Sequence, residues 1–309
     1  MEAEEPAMGA EEPGVAAASV RDIPGGLGSL SPRAQAWRRL RRSRSGMVGL
    51  SMVALLVGMA LLAPILAPYD PATDRNLRAR LNPPSVEHPM GTDELGRDIL
   101  NRVWHGAAIS LRVGVLAVGV GLVLGTVMGL IAGYLGRWAD TFISWVSDIL
   151  LAFPSMLLAI AIVAAMGPGI FNTILAIGVV QIPIYTRLTR SMVLSLREQE
   201  YVSASRAIGA GSMRTLFRHI LPNSLTPLIV QGTLSIGVAI LDAAALGFLG
   251  LGAQPPAPEW GLMIARGFSY FAVAPWISLI PGLAIVVAVV AFNLLGDGLR
   301  DALDPRAGR

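Results

Sequence analysis

The chain has 309 residues, of which 53% are hydrophobic and only 15% charged, and its mean hydropathy is +0.60. Soluble domains carry about 25% charged residues, and a water-exposed fold of this composition would show large apolar patches, so an integral membrane protein is expected. There is no Cys and no Lys, all 24 basic residues being Arg, which excludes thiolate chemistry, Schiff-base catalysis and a phosphate loop that needs its Lys; the net charge of +3 lies beside apolar runs, as topology signals do, and nucleic acid is not expected as a partner.

Residues 1–32 are polar and rich in Gly, Pro and Ala, with five Glu before Gly14. They read as a disordered tail. No apolar run follows a basic start there, so no signal peptide is expected. The region 33–112 opens with a basic anchor, Arg33, Arg38, Arg39, Arg41, Arg42 and Arg44. Met47–Pro68 is then uncharged and apolar, about the 20 residues that a helix needs to cross the hydrocarbon. An outer loop of mixed charge runs from Tyr69 to Arg112. Within it Thr92, Asp93 and Glu94 look like a helix start, a capping hydroxyl followed by carboxylates at the positive end of the dipole. Leu95, Ile99, Val103 and Ala107 recur every four residues, so an amphipathic helix at the outer interface is expected. It is either structural or a surface for a substrate-delivering protein. No local spacing supports a metal site at His88 and His105.

The region 113–298 holds the remaining spans. They are Val113–Gly136, Thr141–Met166 with Asp148, Ile170–Thr186, Ser224–Leu251 with Asp242, and one within Gly267–Gly296. Gly167-Pro168-Gly169 marks a tight turn between the second and third of these. The total is six spans, followed by a short tail at 299–309. With the N-terminus inside, the inner segments hold 17 Arg and the outer segments seven, so both termini are expected in the cytoplasm. Glycines in Val113–Gly136 favour close helix packing. The Pro-rich stretch Gln254–Gly261 cannot be regular helix, and reads as an outer gate, a re-entrant turn or a plain outer loop. Trp260 and Trp276 suit the membrane interface. Polar residues inside spans are costly and are functional candidates by default: Asp148, Gln181, Asp242 and Asn293. Each aspartate either lines a pathway or pairs within the bundle.

The inner segment 187–223 reads as helix, turn, helix. Residues 201–209 are rich in small side chains, and Gly209-Ala210-Gly211 breaks the helix. Ser212 is placed to cap a second short helix, Met213–Ile220, which Leu221-Pro222 is expected to end. The small residues let another protein approach the backbone; an ordinary solvated loop fits the same spacing.

This segment resembles the cytoplasmic loop of inner-membrane permease subunits of binding-protein-dependent ABC importers. That pattern is Glu-Ala-Ala, three residues, Gly, nine residues, Ile, one residue, Leu-Pro. The chain matches at Ala204, Gly209, Leu221 and Pro222, and departs at Ser203 for Glu, Ser205 for Ala and His219 for Ile. Glu200 lies one turn upstream of the missing acid. Three stretches, His88–Asp98, Gly247–Gly261 and Gly296–Pro305, are similar to the second permease subunit of dipeptide, oligopeptide and nickel importers. Four motifs in order cover about residues 33–306. The resemblance implies an all-α type I importer permease fold and a multi-pass place in the cytoplasmic membrane. It implies a coupling helix over 203–217 that docks on an ATPase, a heterodimer with a sister permease, two ABC ATPase subunits and an extracytoplasmic peptide-binding protein, all within membrane lipid. The expected substrate is a dipeptide or short peptide, whose ammonium Asp148 or Asp242 would meet, with Gln181 a further pathway candidate. No catalytic residue, metal or cofactor is expected in this chain. Nickel or oligopeptide import is the alternative within the branch. A self-contained secondary transporter would need two interrupted repeats and has no use for the loop ending at Pro222. An intramembrane aspartyl enzyme using Asp148 and Asp242 lacks its Gly-rich motif.

Overall fold

The computed structural model describes residues 32–70 and 73–303. Apart from Pro32, the tail expected at 1–32 lies outside the described residues, as do 304–309. Among the described residues the only regular elements are helices, with one isolated antiparallel bridge between Thr92 and Asp98.

The basic anchor forms α1 (Pro32–Arg42). Ser43 interrupts it and caps α2 (Arg44–Leu66), its hydroxyl accepting from the Gly46 N–H at 3.2 Å. The apolar helix α2 packs against α11 (Trp276–Leu303) and leaves Leu61 and Ile65 exposed, an outer position that suits lipid.

Helix α3 (Ile99–Leu135) has 37 residues, about 55 Å at 1.5 Å each. This corrects two expectations. No separate interfacial helix precedes the second span; Ile99, Val103 and Ala107 are the buried start of α3 itself and share a core with Trp260, Met263 and Ile277. The cap is not Thr92 but Asp98, which accepts from the Asn101 N–H at 3.2 Å. Thr92 and Asp93 are held elsewhere: Thr92 Oγ1 donates to the Ala79 carbonyl, and Asp93 is taken by arginines.

The third expected span is not straight. Helices α4 (Arg137–Ala152) and α5 (Ser155–Met166) meet at 93°. Pro154 is the reason: it has no N–H to donate and pushes Phe153 into extended backbone, φ −89° and ψ 139°. At 12 residues α5 is about 18 Å long, short of the ~30 Å hydrocarbon layer. The described residues thus contain five helices long and apolar enough to cross a membrane, or six if this bent pair counts as one.

Helix α6 (Ile170–Leu196) is the main partner of α3. A Cβ on Gly125 or Gly129 would sit 2.6 Å from the carbonyl oxygens of Ile182 and Thr186. The absence of side chains there sets how closely the two helices approach. After α7 (Glu200–Ala207) the chain enters α8 (Ser212–Thr215), a π turn (Leu216–Ile220) and α9 (Leu221–Phe248) without a break, one helix from Ser212 to Phe248. Leu221-Pro222 therefore does not end a helix. Pro222 lies inside this continuous helix directly after the π turn, and the irregular turn is what accommodates its missing N–H. A short α10 (Trp260–Phe268) precedes α11. One end of the bundle carries residues 69–98 and 249–275; α7 and α8 lie at the opposite end.

Candidate functional site

Helix α7 closes with a left-handed glycine. Gly209 has φ +87°, its N–H donates to the Arg206 carbonyl at 2.9 Å, and the Ala210 N–H reaches back to the Ser205 carbonyl at 3.1 Å. These two bonds are those of a Schellman motif, which satisfies the last carbonyls of the helix. Gly211, not Ser212, precedes α8, and no side chain caps it. The expected Ser212 cap is thus absent.

The loop is fastened on its inner side. Val202 is fully buried, and Ile220 and Leu216 pack with Leu130 and Val193. Ser205 is buried, with its Oγ 3.2 Å from His219 Nε2. Tyr201 and His219 stack at 6.3 Å between ring centres. Asn223 Nδ2 donates to the His219 carbonyl, and Arg197 Nη1 donates to the Gly133 carbonyl at 3.2 Å. The outer side is bare. Ser203, Ala204 and Gly209 are exposed, and Ile208 at the tip is 87% exposed. Pro222 is exposed and Leu221 half-buried. Glu200 opens α7 in its first turn, exposed, where its charge suits the dipole. The braced helix pair thus ends in an exposed apolar tip.

The intramembrane candidates separate. Asp148 pairs with Arg187 of α6 at 2.6 Å, both well exposed, so it is not an isolated intramembrane charge. Gln181 is buried where α6 meets Gly121 of α3. Asn293 is exposed on α11 beside Gly237 of α9. Asp242 is half-buried, six residues before the end of α9 rather than at its middle, and makes no hydrogen bond or ion pair among the described residues. The four do not converge on one point.

At the opposite end a charged knot organises the 69–98 loop. Asp93 is fully buried; its Oδ2 accepts from Arg97 Nε at 2.6 Å and from Arg102 Nη1, and its Oδ1 takes the N–H groups of Leu95 and Arg97 at 2.8 and 2.9 Å. His88 Nδ1 lies 2.9 Å from Asp98 Oδ2. The Pro-rich stretch is irregular, as expected, and ends at Glu259, whose two oxygens accept from the Gly261 and Leu262 N–H groups at 2.8 Å each. Burial outweighs those bonds and raises the Glu259 carboxyl to about 6. Trp260 faces neither lipid nor water. It is fully buried and its Nε1 donates to the Val103 carbonyl at 3.0 Å. Trp276 is partly buried and donates to the Thr92 carbonyl at 3.2 Å.

No pattern in the sequence points to the links of Ser205 with His219, of Asp140 with Arg190 at 2.7 Å, or of Arg102 with Asp93. Only Asp93 and Arg97, four apart, carry a local signal.

A largely apolar helical bundle with five or six candidate spans and a braced, exposed loop at one end is the architecture of a multi-pass membrane permease subunit. The chain belongs to the binding-protein-dependent transport system inner membrane components, matching that family over residues 125–309. Residues 31–84 match the N-terminal transmembrane domain of oligopeptide transport permease C. The dipeptide transport system permease protein DppC of Alkalihalophilus pseudofirmus is 51% identical over 278 residues, 90% of this chain and 91% of that protein. The di/tripeptide permease DppC of Pseudomonas aeruginosa is 49% identical over 282 residues, 89% and 93% of the two chains. The glutathione permease GsiD of Pectobacterium atrosepticum is 46% identical over 277 residues, 89% and 92%. Among solved structures, a chain of the MetNI methionine ABC transporter in an inward-facing conformation has a TM-score of 0.53 at 19% identity. It covers 67% of this chain and 96% of its own length, and shares the fold.

Proposed function

We propose that this chain is one of two non-identical permease subunits of an ATP-driven importer that moves dipeptides or short peptides into the cytoplasm. The observation that carries the substrate class is the 49–51% identity, over 89–90% of this chain, with two peptide permeases. ATP is hydrolysed by two partner ATPases. The Arg bias supports an orientation with both termini, and the loop of α7 and α8, on their side of the membrane. Ser203, Ala204, Ser205, Gly209, His219, Leu221 and Pro222 form the coupling loop. Ser203, Ala204 and Gly209 present the docking face, while Ser205, His219 and Leu221 hold it to the bundle. Asp242 is the pathway residue of choice, because an unpartnered carboxylate in a span is costly unless a substrate ammonium or the sister subunit meets it. Asp148, paired with Arg187, and Gln181, packed on α3, support the bundle instead.

The test is uptake of a labelled dipeptide in cells lacking only this chain, with and without its gene restored, alongside glutathione and nickel. Loss and recovery of dipeptide uptake alone supports the reading. Loss of nickel uptake in its place moves the substrate to the metal branch.

A further inference from the structure

We propose that a cavity at the end of the bundle opposite the coupling loop is an anion socket for an acidic side chain of the extracytoplasmic binding protein. This rests on the orientation and partners given under the proposed function. The cavity, about 110 Å³, lies between the 69–98 loop and the Pro-rich turn. Arg75, Arg97, Arg102 and Arg266 line it, with Pro255 and Pro256 on its rim.

The charges there are unequal. Arg97 and Arg102 both serve Asp93. Arg102 is only 2% exposed, yet its Nε has no hydrogen-bond partner. Arg266 has only Glu94 near it, at 3.9 Å, and Glu94 is already bound by Arg97 at 3.2 Å. Arg75 is exposed and makes no side-chain hydrogen bond or ion pair among the described residues. Asp74, its neighbour, accepts from the Asp70 N–H at 2.9 Å instead. Arg75 and Arg266 thus line the cavity with no carboxylate within 3.5 Å among the described residues, while Arg97 and Arg102 are held by Asp93; Arg102 Nε and Glu94 Oε2 are left there as a buried donor and a buried acceptor without hydrogen-bond partners. A cluster of this kind is completed by an anion. The volume has room for a few waters, at about 30 Å³ each, which fits one carboxylate and not a whole peptide. A binding protein that docks at this end is the source that brings such a group, and arginine forks bind carboxylates in two-point fashion.

The experiment uses the complete transporter, with sister permease and ATPases, in lipid nanodiscs, and the purified binding protein as probe. Arg75→Gln with Arg266→Gln, both at exposed positions, is expected to slow association ~10-fold at low salt and to flatten its salt dependence. ATPase activity without the binding protein is expected to match the parent and shows that the complex is assembled. Association at the parent rate with the parent salt dependence overturns the proposal alone. No association by the parent complex overturns the underlying reading, and the proposal with it. If association is unchanged and uptake falls for free peptides but not for peptides amidated at the C-terminus, the cavity holds substrate and docking is overturned.

Discussion

Ser205 Oγ and His219 Nε2 lie 3.2 Å apart and join the first helix of the exposed loop to the π turn that leads into α9. These are two of the three positions at which the loop departs from the pattern it resembles, so the two departures form one paired exchange. Where the pattern has the two apolar residues Ala and Ile, this chain has a hydrogen bond between a buried hydroxyl and a ring nitrogen. Restoring one side only leaves a polar group without its partner. Ser205→Ala and His219→Ile are therefore expected to be non-additive, with a coupling of about 1 kcal/mol in thermal unfolding of the purified protein. Additive effects would mean that the bond contributes nothing.

Gly209→Val tests the turn. At φ +87° a β-branched side chain is strained by about 1–2 kcal/mol, and no neighbouring atom contributes a clash, since a Cβ there has open space around it. Membrane insertion is expected to be normal. Uptake is expected to fall at least tenfold while ATP hydrolysis by the complex continues. Normal uptake would remove Gly209 from the coupling role.

Asp93→Ala removes the acceptor shared by Arg97 and Arg102 and leaves two buried guanidiniums uncompensated. Breaking a buried pair from one side costs about 3–5 kcal/mol. The yield of folded protein in detergent is expected to collapse, whereas Asp148→Ala, which breaks an exposed pair, is expected to leave it unchanged. Equal yields would show that the knot is dispensable.

Glu259 sets a pH dependence whose sign follows from its environment. Its carboxyl is raised to about 6 by burial, from an ordinary 4.5. Below 4.5 both folded and unfolded states hold the proton. As pH rises through 6 the unfolded state has already released it and the folded state must ionise a buried acid, so stability is lost, by about 2 kcal/mol in all. Thermal unfolding at a series of pH values is expected to show this fall, and Glu259→Gln to flatten it. A stability that rises across the same window in the parent would reverse the sign and rule the assignment out.

Asp242→Asn keeps the shape of a side chain that has no partner among the described residues. Assembly is expected to be intact and peptide uptake reduced about tenfold. Full uptake would exclude a charged pathway role.

Hydropathy alone located the long apolar helices, because a run of about 20 uncharged residues has few other uses. It missed the 93° bend, although Pro154 was in view: composition on both sides of a proline is apolar whether the chain runs straight or turns. It misplaced Trp260, since a tryptophan near a Pro-rich loop looks the same whether its N–H meets water or the Val103 carbonyl. The start of α3 was read six residues early because Asp93 and Glu94 have the composition of a first turn. The long-range demand of Arg102 for Asp93 overrode that local preference. The loop of α7 and α8 is legible as helix and turn because Gly209 sits where a left-handed residue is required. Its bracing by His219 is not, since contacts fourteen residues apart carry no periodic signal.

Ser212–Phe248 is one unbroken helix of 37 residues, about 55 Å from end to end. Its near end is part of the exposed loop proposed to couple to the ATPase and its far end carries Asp242, with Gly247 set against the Glu259 carboxylate. Such a rod works as a lever. A small tilt imposed at Met213 becomes a displacement of several ångströms at the other membrane face, with no chain of loops between in which the motion is lost.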